Sequence, residues 1–236
     1  TRRSSELKGV RDFMAKHQGN SNATIENATR AATGFFVTYE GHLLTSHHVI
    51  AGAKRIEART GSGNFEARVV KADPSNDLAL LQIKTRSLPL HLDISRAVRL
   101  GEEVFTIGFP NTRAQGAEPK FTDGKVSSLF GTQDDPRYYQ VSVPVQPGNS
   151  GGALVNDSGL AIGMITFQQN DLKTSKPHGR LPQKLNYALK SSQIAAFLSG
   201  IPEARAKIPL QQPAKRSYKD AIKAAQSATV LILVHQ

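Results

Sequence analysis

A serine surrounded by glycines is the residue of this chain best placed to do chemistry. Residues 147–155 read PGNSGGALV, so Ser150 stands on a turn of small residues immediately before an apolar strand. Such a turn exposes the hydroxyl and lets a substrate carbonyl approach the backbone. The backbone around Gly148, Asn149 and Ser150 is a candidate oxyanion hole, which would stabilise negative charge on that carbonyl. Taken alone, the run is also compatible with an ordinary glycine-rich hairpin turn.

Two upstream segments contain the other groups that a nucleophilic serine requires. A serine hydroxyl is a weak nucleophile at its free pKa and needs a neighbouring base. Residues 41–52 read GHLLTSHHVIAG, an apolar strand followed by a turn with His47 and His48. Asp77 stands at the entry of the apolar run 78–83. The order histidine, aspartate, serine is one in which unrelated folds assemble a catalytic triad.

Together these segments resemble the trypsin-like (chymotrypsin-fold) serine proteases, most closely the HtrA type. That family carries a turn ending in His-Val, an Asp-Leu-Ala strand entry and the run Gly-Asn-Ser-Gly-Gly, and the resemblance extends over residues 32–197. It implies that His48 is the general base, Asp77 its orienting partner and Ser150 the nucleophile. His47 lies one residue off the family pattern, and adjacent side chains at a strand end point in different directions.

The residue before the nucleophile, Asn149, separates this chain from the digestive enzymes. Trypsin has an aspartate there, which pairs with a freshly cut N-terminus, whereas an amide cannot form that ion pair. HtrA-type enzymes share the asparagine and are controlled by surface loops that order or disorder the oxyanion hole. The resemblance therefore implies control of this kind, with the peptide between Pro147 and Gly148 as the movable part.

The resemblance also predicts where substrate side chains would bind. The base of the specificity pocket lies six residues before the nucleophile, at the uncharged Pro144, so selection for Lys or Arg is not expected. The pocket wall would come from Thr166, Phe167 and residues 186–188, which predicts a shallow apolar pocket for small or medium aliphatic side chains. The backbone of Thr166, Phe167 and Gln168 would pair with extended substrate as an added strand.

Short strands and turns dominate the chain from residue 28 onward, which favours antiparallel β structure over a βαβ sheet. The resemblance implies an all-β fold of two antiparallel six-stranded β-barrels with the triad in the cleft between them. We expect an N-terminal helical extension over 1–27, a protease domain over 28–202 and a C-terminal extension over 203–236. That extension is a basic linker, a helix and an apolar strand, and it is too short for the PDZ domain that usually follows. The strand must pair with something, such as the first barrel, or the natural chain continues.

Composition narrows the function classes. The chain has no cysteine, and therefore no disulfide or thiolate metal site, which resembles the bacterial enzymes. Its net charge is +11, concentrated in residues 171–223, but few aromatic residues lie there to stack bases, so a solvated surface is favoured over nucleic-acid binding. No metal site and no cofactor are expected. No apolar run is long enough to span a membrane.

A peptide or unfolded protein is the expected partner of this chain. The expected location is the bacterial periplasm or outside the cell, with the cytoplasm and the oligomeric state left open.

Two other interpretations compete with an active protease. The run 148–152 also fits the Gly-x-Ser-x-Gly elbow of α/β-hydrolases, but that fold needs a helix after the serine and a downstream acid and histidine. A second strand is predicted here instead. The other alternative is a catalytically silent protease-like domain that binds peptides or partners, which requires a collapsed oxyanion hole or a blocked cleft.

Overall fold

The structure is a computed structural model that describes residues 28–94, 97–166, 185–209 and 216–236. The helical extension expected over 1–27 lies outside the described residues, and so do Phe167 and Gln168 of the predicted pocket.

The described residues form antiparallel strands joined by short helices and turns. The strands are β1 (Arg30–Phe36), β2 (His42–Ser46), β3 (Arg55–Thr60), β4 (Gly63–Glu66), β5 (Arg68–Asp73), β6 (Leu78–Gln82), β7 (Glu103–Gly108), β8 (Lys120–Ser128), β9 (Tyr138–Val141), β10 (Ala153–Asn156), β11 (Ala161–Thr166), β12 (Asn186–Lys190) and β13 (Thr229–His235). The helices are α1 (His47–Ile50), α2 (Thr112–Gln115), α3 (Ser191–Ser199), α4 (Pro202–Arg205) and α5 (Tyr218–Ala228), and Thr132–Asp134 forms a 3₁₀ turn.

The first half of the fold is a seven-stranded sheet in the order β4-β3-β13-β1-β2-β6-β5. Only Ala67 separates β4 from β5, and its N–H donates to Ile56 O of β3 at 2.9 Å. The chain therefore pairs first with β3 and then with β6, so one bent segment joins the two ends of the sheet. Apolar side chains that alternate along these strands fill the space inside, among them Leu43, Leu81 and Ile232, each at most 1% exposed.

The C-terminal strand β13 is part of this first sheet. It lies between β1 and β3, with Ile232 opposite Ala32 on one side and Ala58 on the other. Neighbours on both edges satisfy its backbone hydrogen bonds, and the side chains of residues 230–234 are buried on both faces of the sheet. Of the two outcomes expected for this strand, the structure shows pairing with the first half.

The second half is a closed barrel of six strands in the order β10-β11-β12-β9-β8-β7. The predicted all-β, trypsin-like fold is confirmed, with one closed barrel and one curved sheet. The first sheet has seven strands instead of six because the bend at Ala67 divides one strand into β4 and β5. Ser150 is followed by the strand β10 and not by a helix, so the α/β-hydrolase elbow is excluded.

Helix α5 connects the two halves. Ser217 caps its N-terminus by accepting the backbone N–H of Asp220 at 3.2 Å. Its alanine face packs on the barrel, where Ala221 lies against Gly159, and the Tyr218 ring meets Phe105 edge-on at 5.7 Å. Because β13 follows immediately, the last described segment starts on one half and ends inside the other.

Candidate active site

His48, in α1 after β2, and Asp77, directly before β6, contact each other at two points. His48 Nδ1 lies 2.8 Å from Asp77 Oδ2, and the backbone N–H of His48 donates to Oδ1 at 2.8 Å. His47 contributes only its backbone N–H, which donates to Asp77 O at 3.1 Å. The His48 side chain is 49% exposed, and Nε2 is directed away from the carboxylate. The imidazole is therefore oriented on one side and accessible on the other.

The environment of Asp77 keeps its carboxylate ionised. Burial by itself raises the pKa of Asp77, but the hydrogen bonds from the His48 ring and backbone outweigh it and leave the pKa below its usual value. Thr166 Oγ1 donates a third hydrogen bond to Oδ2 at 3.3 Å. The residue adopts φ +52°, a left-handed conformation that aspartate tolerates better than most side chains. A fixed negative charge here would stabilise an imidazolium.

The turn that contains Ser150 packs against the end of β2. Ser150 is 3% exposed, and its carbonyl accepts the Thr33 N–H at 3.1 Å. Gly151 adopts φ +86°, and a Cβ at this position would lie 2.9 Å from Ser46 N. The serine turn is thus pressed against the residue immediately before the two histidines. Within the described ranges, no hydrogen bond joins Ser150 Oγ to His48.

Two backbone N–H groups of the serine turn are left without a hydrogen-bond acceptor among the described residues. Asn111 N–H donates to Pro147 O at 2.9 Å, and since the peptide is trans, the Gly148 N–H points the opposite way. Among the described residues, the N–H groups of Gly148 and Ser150 have no acceptor. The Asn149 N–H donates to Gln146 O at 3.0 Å, so Asn149 shapes the turn and does not offer an N–H. Two free donors next to a serine suit an oxyanion.

Thr33 of β1 joins the serine turn to the rest of the site. Its Oγ1 donates to Gly148 O at 2.6 Å and accepts the Phe109 N–H at 3.0 Å. Gly148 itself has φ +103°, and a side chain there would collide with Phe109 O. Only glycine fits this position, because the backbone of the loop after β7 occupies the space of a Cβ.

Arg30 supports the histidine turn, and the sequence did not reveal this role. Its Nη1 donates to His48 O at 2.9 Å and its Nη2 to Ala51 O at 2.6 Å. The last carbonyls of a helix lack intrahelical partners, and here a guanidinium satisfies them. Arg137 similarly donates from Nη1 to Asn76 Oδ1 at 3.2 Å, next to Asp77. Neither arginine belongs to a sequence motif, so their roles are evident only from the tertiary contacts.

The predicted specificity pocket is described only in part. Pro144 is exposed and follows Val143, whose carbonyl accepts the Asn186 side-chain N–H at 2.7 Å. Thr166 is 4% exposed and directs its hydroxyl to Asp77, while its backbone pairs with Tyr187. Its side chain therefore supports the carboxylate. The role of its backbone in binding substrate stays a prediction, as does the shape of the pocket.

No group of three or more His, Cys, Asp or Glu that could hold a metal ion occurs among the described residues. In the described ranges, none of the helices combines the length and the apolar character needed to cross a bilayer.

The part of the chain that forms this site matches a known protein family. Residues 32–164, which include His48, Asp77 and Ser150, match the family described as trypsin-like peptidase domain. The chain belongs to this family.

Relatives of this trypsin-like peptidase domain point to the HtrA type, as predicted. An uncharacterized protein of Sinorhizobium fredii is 41% identical over 172 residues, covering 72% of this chain and 27% of the relative. A probable periplasmic serine endoprotease, DegP-like, of Pseudomonas fluorescens is 35% identical over 142 residues, covering 58% and 29%. The structure of the HtrA-type protease AlgW with a decapeptide is 29% identical, with a TM-score of 0.59, covering 73% and 51%. The chain thus spans under a third of these curated relatives and about half of the AlgW chain.

Proposed function

We propose that this trypsin-like peptidase domain is a serine endopeptidase that uses His48, Asp77 and Ser150. The observation that carries the proposal is the two-point contact between His48 and Asp77, held beside a serine turn with two free N–H donors. A general base with an orienting acid, a nucleophile and an oxyanion hole are the parts that acyl transfer needs.

The chemistry proceeds in two stages. Ser150 Oγ attacks the scissile carbonyl while His48 Nε2 takes the hydroxyl proton, and the N–H groups of Gly148 and Ser150 bind the oxyanion. The tetrahedral intermediate collapses as the imidazolium gives its proton to the leaving amine, which leaves an ester on Ser150. Water, deprotonated by His48, then hydrolyses the ester and restores the serine. Asp77 stays ionised throughout.

The substrate is a peptide or unfolded protein cleaved after a small or medium apolar side chain. The uncharged Pro144 at the predicted pocket base supports this preference. The relative named as a periplasmic serine endoprotease supports a periplasmic or secreted location. The AlgW structure, which holds a decapeptide, supports binding of an extended peptide.

A catalytically silent, peptide-binding domain is the second candidate. It is favoured by the low exposure of Ser150 and by the missing hydrogen bond to His48 in the described structure. Catalytic hydrogen bonds are often long in unliganded enzymes and tighten when substrate binds, so this geometry weighs little against catalysis.

Labelling with a fluorophosphonate probe tests the two candidates. The unsubstituted chain should be labelled and should cleave an unfolded protein, and Ser150→Ala should do neither. Ser158→Ala, in the turn between β10 and β11, is the matched control and should behave like the unsubstituted chain. A well-folded chain that takes no label under any condition would establish the silent domain.

A further inference from the structure

A cavity of about 390 Å³ lies next to the serine turn. Three short segments line it: residues 28–31 at the start of β1, residues 111–113 at the start of α2, and residues 146–148 before Ser150. We call this space the arginine cavity, since Arg30 and Arg113 are its charged residues. It shares Gly148, a proposed oxyanion donor, with the candidate active site.

The position of the arginine cavity assigns it to one side of the scissile bond. When the Gly148 N–H binds the substrate carbonyl, the scissile bond divides the substrate into an acyl part before it and a leaving-group part after it. The residues predicted to bind the acyl part, Pro144 and Thr166, do not line this cavity. The cavity lies instead on the side of β1, which Arg30 joins to the carbonyl of His48, the residue that protonates the leaving amine. The substrate residues after the scissile bond therefore lead toward it.

Both charged residues that line the arginine cavity are positive. No Asp or Glu is among its lining residues. Arg113 is exposed at the rim, where one guanidinium nitrogen donates to Ala28 O at 3.2 Å and holds the side chain in place. Arg30 Nε is buried and has no hydrogen-bond partner among the described residues. A guanidinium carries five N–H donors, so the exposed Arg113 keeps donors for a ligand beyond its bond to Ala28 O.

We infer that the arginine cavity binds an acidic side chain of the substrate on the leaving-group side of the scissile bond. Arg113 is the principal contact, and Arg30 contributes charge while it holds the histidine turn. The inference rests on the proposed function only in placing the substrate at the serine turn, since binding itself requires no catalysis. A carboxylate accepting from a guanidinium forms a charge-assisted hydrogen bond, stronger than a neutral one.

Peptide binding to the Ser150→Ala chain tests the inference independently of turnover. The probes are fluorescein-labelled, C-terminally amidated hexapeptides with one valine, in which the first, second or third residue after the valine is Asp, Asn or Lys. At one of these positions, Asp should bind roughly tenfold more tightly than Lys by fluorescence anisotropy. Because Arg113 is exposed, this preference should shrink as salt is raised.

Substitution of Arg113 in the same background identifies the contact. Arg113→Gln should reduce the ratio of Asp to Lys affinities to about one, Arg113→Lys should keep part of it, and Arg113→Glu should reverse it. Arg86→Gln removes the same charge from an exposed side chain outside the cavity, and should leave the ratio unchanged. Equal affinities at every position, or no measurable binding of any hexapeptide, would overturn the inference.

The outcome is separable from that of the proposed function. If the unsubstituted chain takes the fluorophosphonate label but Ser150→Ala does not distinguish Asp from Lys, the protease proposal stands and this inference fails. If the hexapeptides are distinguished through Arg113 but no label is taken, the arginine cavity belongs to a silent peptide-binding domain.

Discussion

The two halves of this molecule are assembled from the chain in different ways. The closed barrel uses one nearly continuous stretch, from β7 to β12, and most of its neighbouring strands are also neighbours in sequence. The first sheet needs β13, which comes from the other end of the described chain. Just beyond β13, the Gln236 N–H donates to Thr29 Oγ1, just before β1, across 207 positions at 3.3 Å. The half that holds His48 and Asp77 therefore depends on the C-terminal strand, and the half that holds Ser150 does not.

This difference has a physical consequence for folding. Strands that follow one another pair after closing a short loop, whereas β13 pairs with β1 only by closing a loop that contains most of the chain, which costs more conformational entropy. We expect the barrel to be the more autonomous half. The base and its acid should be the first part of the candidate site to be lost under stress.

Removal of β13 should break the comparison most severely. A chain that ends at Ala228 loses five buried residues, 230–234, and each large apolar side chain contributes about 1.5–3 kcal/mol when buried. The total approaches the whole stability of a typical domain. Hydrogen exchange should show β1 and β3 unprotected, with β8 and β9 still protected, and fluorophosphonate labelling should be lost. Equal loss of protection in both halves would mean that they fold as one unit.

A matched pair of isoleucines should sharpen the comparison. Ile232 in β13 and Ile162 in β11 are both fully buried, and replacement by alanine should lower the free energy of unfolding by about 2–5 kcal/mol in each case. Hydrogen exchange distinguishes them. Ile232→Ala should expose the first sheet without opening the barrel, whereas Ile162→Ala should weaken the barrel itself. The same exchange pattern for both variants would contradict the proposed independence.

Replacement of a glycine by alanine should cost more stability where the two halves meet than on the surface, even when the two glycines have similar φ angles. Gly151 has φ +86°, and a side chain there would collide with Thr33 O of the first half. Gly101 has φ +80° with no atom near the added Cβ. Gly101→Ala should cost about 1 kcal/mol of unfolding free energy from backbone strain alone. Gly151→Ala should cost about 2–4 kcal/mol because the collision is added. Equal losses, measured by denaturant unfolding, would show that the two halves separate easily at this junction.

The smallest expected effect is the pH-dependent contribution of Asp77, in the first half, to stability. Folding lowers the pKa of Asp77 from its ordinary value of 3.8, so its contribution to stability is full above that value and is lost as pH falls through the folded-state pKa. Asp77→Asn removes the contribution. The difference in unfolding free energy between the two chains should therefore shrink from neutral pH to below 3.8. A difference independent of pH would mean that the hydrogen bonds from His48 do not depend on the charge.

Much of the candidate site could be predicted from the sequence because it consists of local motifs. The turn with Ser150, the turn with His48 and the strand entry at Asp77 each need particular residue types at adjacent positions. The all-β fold followed from short strands without long helices. The supporting contacts were missed: Arg30 reaches His48 across 18 positions, Thr33 reaches Gly148 across 115, and Thr166 reaches Asp77 across 89. None of these side chains has an unusual neighbourhood in the sequence.

The chain alone determined which groups are available for chemistry and that its last residues form a buried strand. Tertiary packing settled where that strand lies and which side chains hold the histidine and the carboxylate in place. The reason is that an apolar run specifies burial but not the neighbour that covers it, since many strand edges satisfy the same backbone hydrogen bonds. An arginine specifies charge but not the carbonyl it will meet. Both choices are made only when the first sheet assembles, which brings β13 between β1 and β3 and Arg30 to the carbonyl of His48.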